Sequence, residues 1–296
     1  MVIDFGQAYN KPVTLALGYF DSVHIGHRAL INKSREFAHK ADAECAVFTF
    51  RGNLYKVINS DQEQVYTFDE RKEIFNELGV DIILAAEPDP GFINMSPQEF
   101  LNKLTSLYNI KKIYCGMDFR FGYGAKGDLD MLDNYFGLKG IDTEFFDMVT
   151  VGGAKISTRD IKRLIRSGDT HKAKDLLGSA YSVSGVVISG RKQGRIMGYP
   201  TANIKVDNEK VKPKEGVYAT KVIIDGSAYN AVTNAGARPT FNESDYTVES
   251  HIINYRGEMY GKHIKVLFYE RIRDIRKFSS VQELTAQIKS DTEYIK

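Results

Sequence analysis

Two stretches of this sequence combine residue types at spacings that could do chemistry. In "GYFDSVHIGH", Gly18 to His27, two of the chain's 6 histidines stand three apart, His24 and His27, with Gly26 between them and Asp21 just before. At a helix start, residues i and i+3 share one side of the first turn. Two imidazoles beside free backbone N–H groups suit a phosphate that gains charge during reaction. Incidental histidines, or a metal held by Asp21 with the two rings, are open alternatives. The second stretch is "GVVISGRKQGRIMGYPTANI", with Gly190, Gly194 and Gly198 four apart and Arg191, Lys192 and Arg195 among them. Such a basic glycine loop can wrap an anion in backbone N–H groups. The "PTAN" that follows sets Thr201 and Asn203 on one side of an extended segment, hard oxygen donors that suit Mg²⁺. A plain Gly/Pro turn cluster would read the same way. Glu249 lies within "YTVESHIIN", where a strand carboxylate is ordinarily a solvent-facing residue.

These residues need elements to position them. "VTLALGYF" (13–20) is mostly apolar, as a strand buried on both faces should be. Residues 27–41 form an amphipathic pattern, so "GYFDSVHIGH" falls at a strand-to-helix mouth. "ECAVFTF", "VDIILAAE" and "KKIYCGMDF" read as further strands, "FDERKEIFNELG" as a helix closed by Gly79. "SPQEFLNKLTSLYN" (96–109) opens with Ser96 as N-cap, Pro97 at the first helical position and Glu99 completing a capping box. Strands alternating with helices predict βαβ units and a parallel sheet, with ligands beyond the carboxyl ends of its strands. "STRDIKRLIRSGDTHKAKDLLG" (157–178) reads as one or two helices. From about residue 180 the chain turns rich in Val, Ile, Thr and Tyr, with turn signals at Asp225-Gly226 and Arg256-Gly257. That predicts an antiparallel barrel or sandwich. Ser280 and Glu283 form another capping box before a C-terminal helix. The expected domains are therefore 1–180 and 181–296.

Composition narrows the function classes. The chain has 296 residues, 43% hydrophobic and 26% charged, with a formal net charge of +2. This balance lacks the basic field of a nucleic-acid binder. No apolar run approaches a membrane span, and "MVIDFGQAYNKPV" has no signal-peptide pattern. Cys45 and Cys115 have no CxxC spacing and read as reduced, buried thiols. A cytoplasmic protein with small-molecule partners is expected; the oligomeric state has no signature here.

"GYFDSVHIGHRAL" resembles the G-x-F-D-G-x-H-x-G-H signature of the nucleotidyltransferase superfamily, and "YCGMDFRFGYGAKGDLDML" (114–132) resembles the G-x-D-F-R-F-G segment of its FMN adenylyltransferase branch. "GRIMGYPTAN" is similar to the riboflavin kinase signature G-R-x-x-G-[FY]-P-T-A-N, and "GVYAT", "NAGARPTF" and the stretch 248–278 follow in that kinase's order. The resemblance is to prokaryotic bifunctional riboflavin kinase/FAD synthetases and covers essentially the whole chain. It implies an α/β nucleotidyltransferase-type parallel-sheet domain, then an all-β six-stranded barrel with a C-terminal helix. It implies two reactions: riboflavin plus ATP gives FMN, then FMN plus ATP gives FAD and pyrophosphate, with Mg²⁺ as cofactor. By the same resemblance His24 and His27 stabilise the α-phosphate of ATP. Gly18, Phe20, Asp21, Asp118, Arg120, Ser157 and Lys162, and in the kinase half Gly190, Arg195 and Gly198, belong to nucleotide binding. Thr201 and Asn203 hold the metal, and Glu249 acts as general base on the flavin 5′-hydroxyl. Arg273 and Phe278, with Tyr269, are candidates for the flavin wall.

The first half departs from that family pattern. Ser22 stands where the family has glycine, and "TFRGNLYKV" (49–57) lacks the family's proline and histidine. "ISTRDIK" (156–162) replaces I-S-S-T-x-I-R, with Thr158 for a serine, Arg159 for the threonine and Lys162 for the arginine. Lysine keeps the charge and loses the bidentate fork, unless it is simply a solvated charge on a helix face. These departures leave two further readings: a kinase whose first domain is weakened or regulatory, and a flavin-binding regulator without catalysis.

Overall fold

The computed structural model describes residues 1–58, 63–147, 149–151, 154–189, 199–237 and 246–295. The first part runs β1 (Val2–Asp4), β2 (Tyr9–Leu17), α1 (Ile25–Lys40), β3 (Glu44–Phe50), α2 (Leu54–Val57), α3 (Phe68–Glu77), β4 (Ile82–Ala86), α4 (Pro90–Ile93), α5 (Pro97–Leu107), β5 (Tyr108–Gly116), α6 (Leu129–Gly137), β6 (Asp142–Phe146), β7 (Thr150–Val151) and β8 (Ala154–Lys155). Then come α7 (Thr158–Ser167), α8 (Thr170–Leu177), β9 (Tyr181–Val186), β10 (Thr201–Lys205), β11 (Gly216–Ile224), β12 (Ser227–Ala237), β13 (Tyr246–Ile252), β14 (His263–Arg273) and α9 (Val281–Ile295). The chain divides into two compact units, Met1–Thr158 and Arg159–Lys296.

The first unit holds a six-stranded parallel sheet in the order β1-β4-β3-β2-β5-β6. Its central strands are near-continuously apolar because helices cover both faces. Leu15, Leu17, Phe48, Leu84 and Ile113 sit in its core, each no more than 3% exposed. From β2 the chain builds outward to β3 and β4, then crosses to β5 on the other side of β2. The switch point therefore falls between β2 and β5, where such sheets bind ligands. Both predicted partners of the Ser96 capping box are made: Glu99 N donates to Ser96 Oγ and Ser96 N to Glu99 Oε2, at 3.2 and 2.8 Å. Thr67 and Glu70 form a second such box, which sequence reading passed over. So it did the edge strands β1 and β6, each too short to carry a period.

Arg71 of α3 is fully buried and ties two strand ends together. Its Nη1 donates to Tyr19 O at 3.0 Å and to Thr49 Oγ1; its Nη2 donates to Phe50 O at 2.7 Å. The guanidinium also lies 5.0 Å from the centroid of the Tyr19 ring. The carboxyl ends of β2 and β3 are thereby fixed as a rigid floor.

The second unit holds a six-stranded antiparallel sheet, β10-β13-β12-β11-β14-β9, whose edges meet where Ile188 N donates to Asn203 O at 2.8 Å. Alternate residues point inward: Val183, Ile204, Tyr218, Val248 and Phe268 are all fully buried. A line of hydroxyls crosses three strands inside, Thr220 to Thr233 at 2.6 Å and Thr233 to Ser250 at 2.8 Å, satisfying three buried polar groups. Asp225-Gly226 makes the expected two-residue hairpin turn, with φ of 50° and 76°, the left-handed pair of a type I′ turn. Arg256-Gly257 also interrupts the strands as expected, within the longer connection between Ile252 and His263. Helices α7 and α8 pack with this unit, α8 against β14 and β9, and Lys214 N donates to Ile165 O.

The C-terminal helix starts at Val281, and Glu283 N donates to Ser280 Oγ as expected. The Glu283 carboxylate reaches Ser279 N at 3.0 Å instead of Ser280 N, so the box closes one residue early. Asp291, 3% exposed, anchors the helix to β14: Arg273 Nη2 and Nε both reach its carboxylate, the former at 2.8 Å. Arg273→Ala leaves a buried carboxylate without its cation. It is expected to destabilise the second unit by about 3 kcal/mol, read as a lowered melting transition; an unchanged transition would show the pair to be dispensable.

Candidate functional site

The segment after β2 is held in an unusual backbone path. Phe20 and Val23 have φ of 54° and 40°, in the left-handed region that L side chains avoid. Packing compensates: Phe20 is 2% exposed, with its ring edge-on to His27 at 5.2 Å and to Phe75 at 5.9 Å. Gly18 is required by that same ring, since a Cβ there would meet Phe20 at 2.9 Å. Gly26 serves a similar end. Its missing Cβ leaves room for the His24 ring, 3.1 Å from where it would stand, and Gly26 itself lines the cavity described below.

His24 is the N-cap of α1, its Nδ1 accepting from His27 N at 3.2 Å. An accepting Nδ1 carries no proton, so neutral His24 bears its proton on Nε2, as a donor. The two imidazoles stack, centroids 3.7 Å apart and planes within 11°. His27 Nδ1 is buried with no hydrogen-bond partner among the described residues. Burial lowers the pKa of His24, opposed in part by the carboxylate of Asp118; burial and the neighbouring His24 push that of His27 well down. Both rings are therefore neutral at neutral pH. Because their folded pKa values lie below the unfolded one, stability is full above about pH 6.5 and falls as pH drops below it.

A cavity of about 700 Å³ opens over these rings. Gly18, Phe20, Asp21, His24 and His27 line it from the β2 end; Asp118 and Arg120 line it from the β5 end; Ser157 and Thr158 line it where α7 begins. Its other walls are aromatic, among them Tyr19, Phe50, Phe92, Phe100 and Phe121. Sequence reading missed this apolar half, because its residues come from five separated segments. Asp21 is turned to the protein: its Oδ1 accepts from Val65 N at 2.7 Å and its Oδ2 from Tyr55 OH at 3.2 Å. Among the described residues no cluster of three His, Cys, Asp or Glu could hold a metal ion. Ser22 is fully buried, its hydroxyl 3.0 Å from that of Thr158. Two positions that depart from the resemblance thus bond to each other, and Ser22 does not line the cavity. Lys162 is 3% exposed, which rules out a solvated charge.

In the second unit Thr201 opens β10, and Asn203 pairs directly with Glu249 of β13. Thr201 Oγ1 donates to Glu249 Oε1 at 2.7 Å. With its proton committed to the carboxylate, the threonine oxygen keeps lone pairs for a cation, and the Asn203 amide carbonyl oxygen is a second hard donor on the same side of the strand. The donor chemistry fits Mg²⁺. Gly190, Arg195 and Gly198, with the rest of the basic loop 190–198, lie outside the described residues. Arg273 is engaged by Asp291, and Phe278 lies beneath the guanidiniums of Arg276 and Arg273, at 4.8 and 5.9 Å. Tyr269 lies under Lys174 and Lys221.

The α/β unit carries paired histidines at its switch point, and the barrel carries a carboxylate beside two hard donors: two candidate centres, one in each unit. Comparison gives both halves the same sense: residues 6–160 match the FAD synthetase family and residues 177–296 the riboflavin kinase family. A bifunctional riboflavin kinase/FMN adenylyltransferase of Bacillus subtilis is 34% identical over 284 residues, 94% of this chain and 89% of that protein. One from Escherichia coli is 31% identical over 292 residues, 97% and 93% of the two. The chain belongs to the bifunctional riboflavin kinase/FMN adenylyltransferase family. A solved structure named as a macrolide-efflux protein from Streptococcus pneumoniae shares the fold at a TM-score of 0.88 and 28% identity, covering 99% of this chain and 98% of that one. Efflux is that protein's designation; among the described residues here no helix is long and apolar enough to cross a membrane.

Proposed function

We propose that this chain makes FMN from riboflavin and ATP in its second domain, and FAD from FMN and ATP in its first. The observation that carries this reading is that one chain holds both candidate centres, each in its own compact unit and each within a matched family. We assign the adenylyl transfer to residues 1–180 and the kinase to 181–296, with helices α7 and α8 of the first range packing with the second unit. Small-molecule partners suffice for both reactions, in the cytoplasm.

In the kinase reaction Glu249 takes the proton of the flavin 5′-hydroxyl. The freed oxygen attacks the γ-phosphorus, the bond to the β-phosphate oxygen breaks, and ADP leaves. Mg²⁺, held by Thr201 and Asn203, would neutralise phosphate charge there. In the adenylyl transfer the FMN phosphate oxygen attacks the α-phosphorus of ATP and pyrophosphate leaves. His24 donates from Nε2 to the α-phosphate as charge accumulates, and the N–H groups of α1 add to it. The aromatic walls supply a flat apolar cleft for a flavin ring, with Gly18, Asp118, Arg120 and Ser157 at the phosphate end.

Incubation of the pure protein with riboflavin, ATP and Mg²⁺, followed by flavin chromatography, tests the whole reading. FMN and FAD are both expected. FMN alone would confine the chain to the kinase reaction, and neither product would point to a binding role.

A further inference from the structure

We infer that His251 is a positioning residue for the phosphoryl transfer, holding Pro200 so that Thr201 stands against Glu249. The inference rests on the kinase reading above and adds a residue to it. His251 lies in the same strand as Glu249, two residues on, in "VESHI". Alternate residues of a strand share a face, so the two point to the same side of β13. That side is the outward one: Val248, Ser250 and Ile252 are buried inside the barrel, whereas Glu249 and His251 are partly exposed.

The register explains why a histidine is useful here. His251 pairs with Thr201, the first residue of β10, and Glu249 with Asn203. The start of a strand is its least constrained part, and Pro200 just before it has no N–H to donate to a ladder. Its carbonyl remains, and His251 Nδ1 lies 3.1 Å from that oxygen. A carbonyl only accepts, so the bond requires the proton on Nδ1. The ring edge also packs on Tyr199, centroids 5.1 Å apart at 72°. One side chain therefore grips the two residues that lead into β10. The next residue along, Thr201, is the one whose hydroxyl reaches Glu249 at 2.7 Å. Releasing Pro200 frees Thr201 to rotate away, and the candidate base loses the contact that orients it. A displacement of about 1 Å in such a centre is enough to cost rate without changing what binds.

Two variants of equal polarity separate this from a general packing role. Asparagine places an amide N–H close to where Nδ1 stands, and glutamine places it one bond further, close to Nε2. His251→Asn is expected to keep at least about a third of the kinase kcat. His251→Gln is expected to lose tenfold or more, with KM for riboflavin within about twofold in both. Conversion of supplied FMN to FAD, read on the same samples, is expected to stay level throughout. Equal kcat in the two variants would overturn the inference, as would a loss confined to KM. His251→Leu, which keeps bulk and loses the donor, should match the glutamine variant; wild-type turnover there would also overturn it. If the unmodified protein forms no FMN from riboflavin and Mg²⁺-ATP, it is the kinase reading that fails, which this control distinguishes.

Discussion

Glu249→Gln is expected to stop FMN formation while leaving FAD formation from supplied FMN intact. The amide is nearly isosteric, and its oxygen can still accept from Thr201, so the 2.7 Å contact and the β10–β13 register survive. What disappears is basicity. A positioned general base contributes on the order of 10²–10⁴ in rate, so kcat for riboflavin phosphorylation should fall by about that factor with nucleotide affinity little changed. Glu249→Asp keeps the base and withdraws it by one methylene; it should fall between the two. Steady-state turnover with riboflavin, and calorimetric titration with a non-hydrolysable ATP analogue, give the two readouts. Near-normal turnover in the glutamine variant would remove Glu249 from the role of base.

The opposite dissection is expected at the other centre. His24→Asn removes an imidazole yet retains an excellent N-cap, because the Asn side-chain oxygen can accept from the His27 N–H as Nδ1 does now. Helix α1 should therefore stay formed. Adenylyl transfer is expected to drop by about 10²–10³, the usual cost of losing one donor aimed at developing phosphate charge, with riboflavin phosphorylation unchanged. His27→Leu gives a complementary result. It removes a buried nitrogen that has no partner among the described residues, so the melting transition should hold or rise. Adenylyl transfer should nevertheless fall. Loss of activity without loss of stability is the signature of a group retained for function. A His24→Asn variant within threefold of the parent rate would refute the assignment.

The two fold classes were legible for different reasons. Helices and strands of the first unit announce themselves through period and caps, and the Ser96–Glu99 box is made as its spacing requires. The Asp225-Gly226 hairpin was legible because a two-residue turn with both φ positive admits few residue types. Arg256-Gly257 was legible as a break between strands, and it falls in the connection from Ile252 to His263. β1 and β6 were invisible, since a three- or five-residue edge strand carries too little pattern to stand above its surroundings.

For the functional residues, type and spacing alone marked candidates: the paired histidines, the Thr-x-Asn donors and the strand glutamate. Those features are local, while the roles proposed for them rest on the resemblance. Only the tertiary structure decided what surrounds them. It turned Asp21 toward Val65 and Tyr55, bonded Ser22 to Thr158, buried Lys162 and assembled the aromatic wall. It also set His251 on Pro200, across 51 residues of chain. The physical reason is that burial, hydrogen-bond partners and the pKa shifts they cause depend on long-range contacts. These contacts arise only once the sheet has brought distant strand ends side by side.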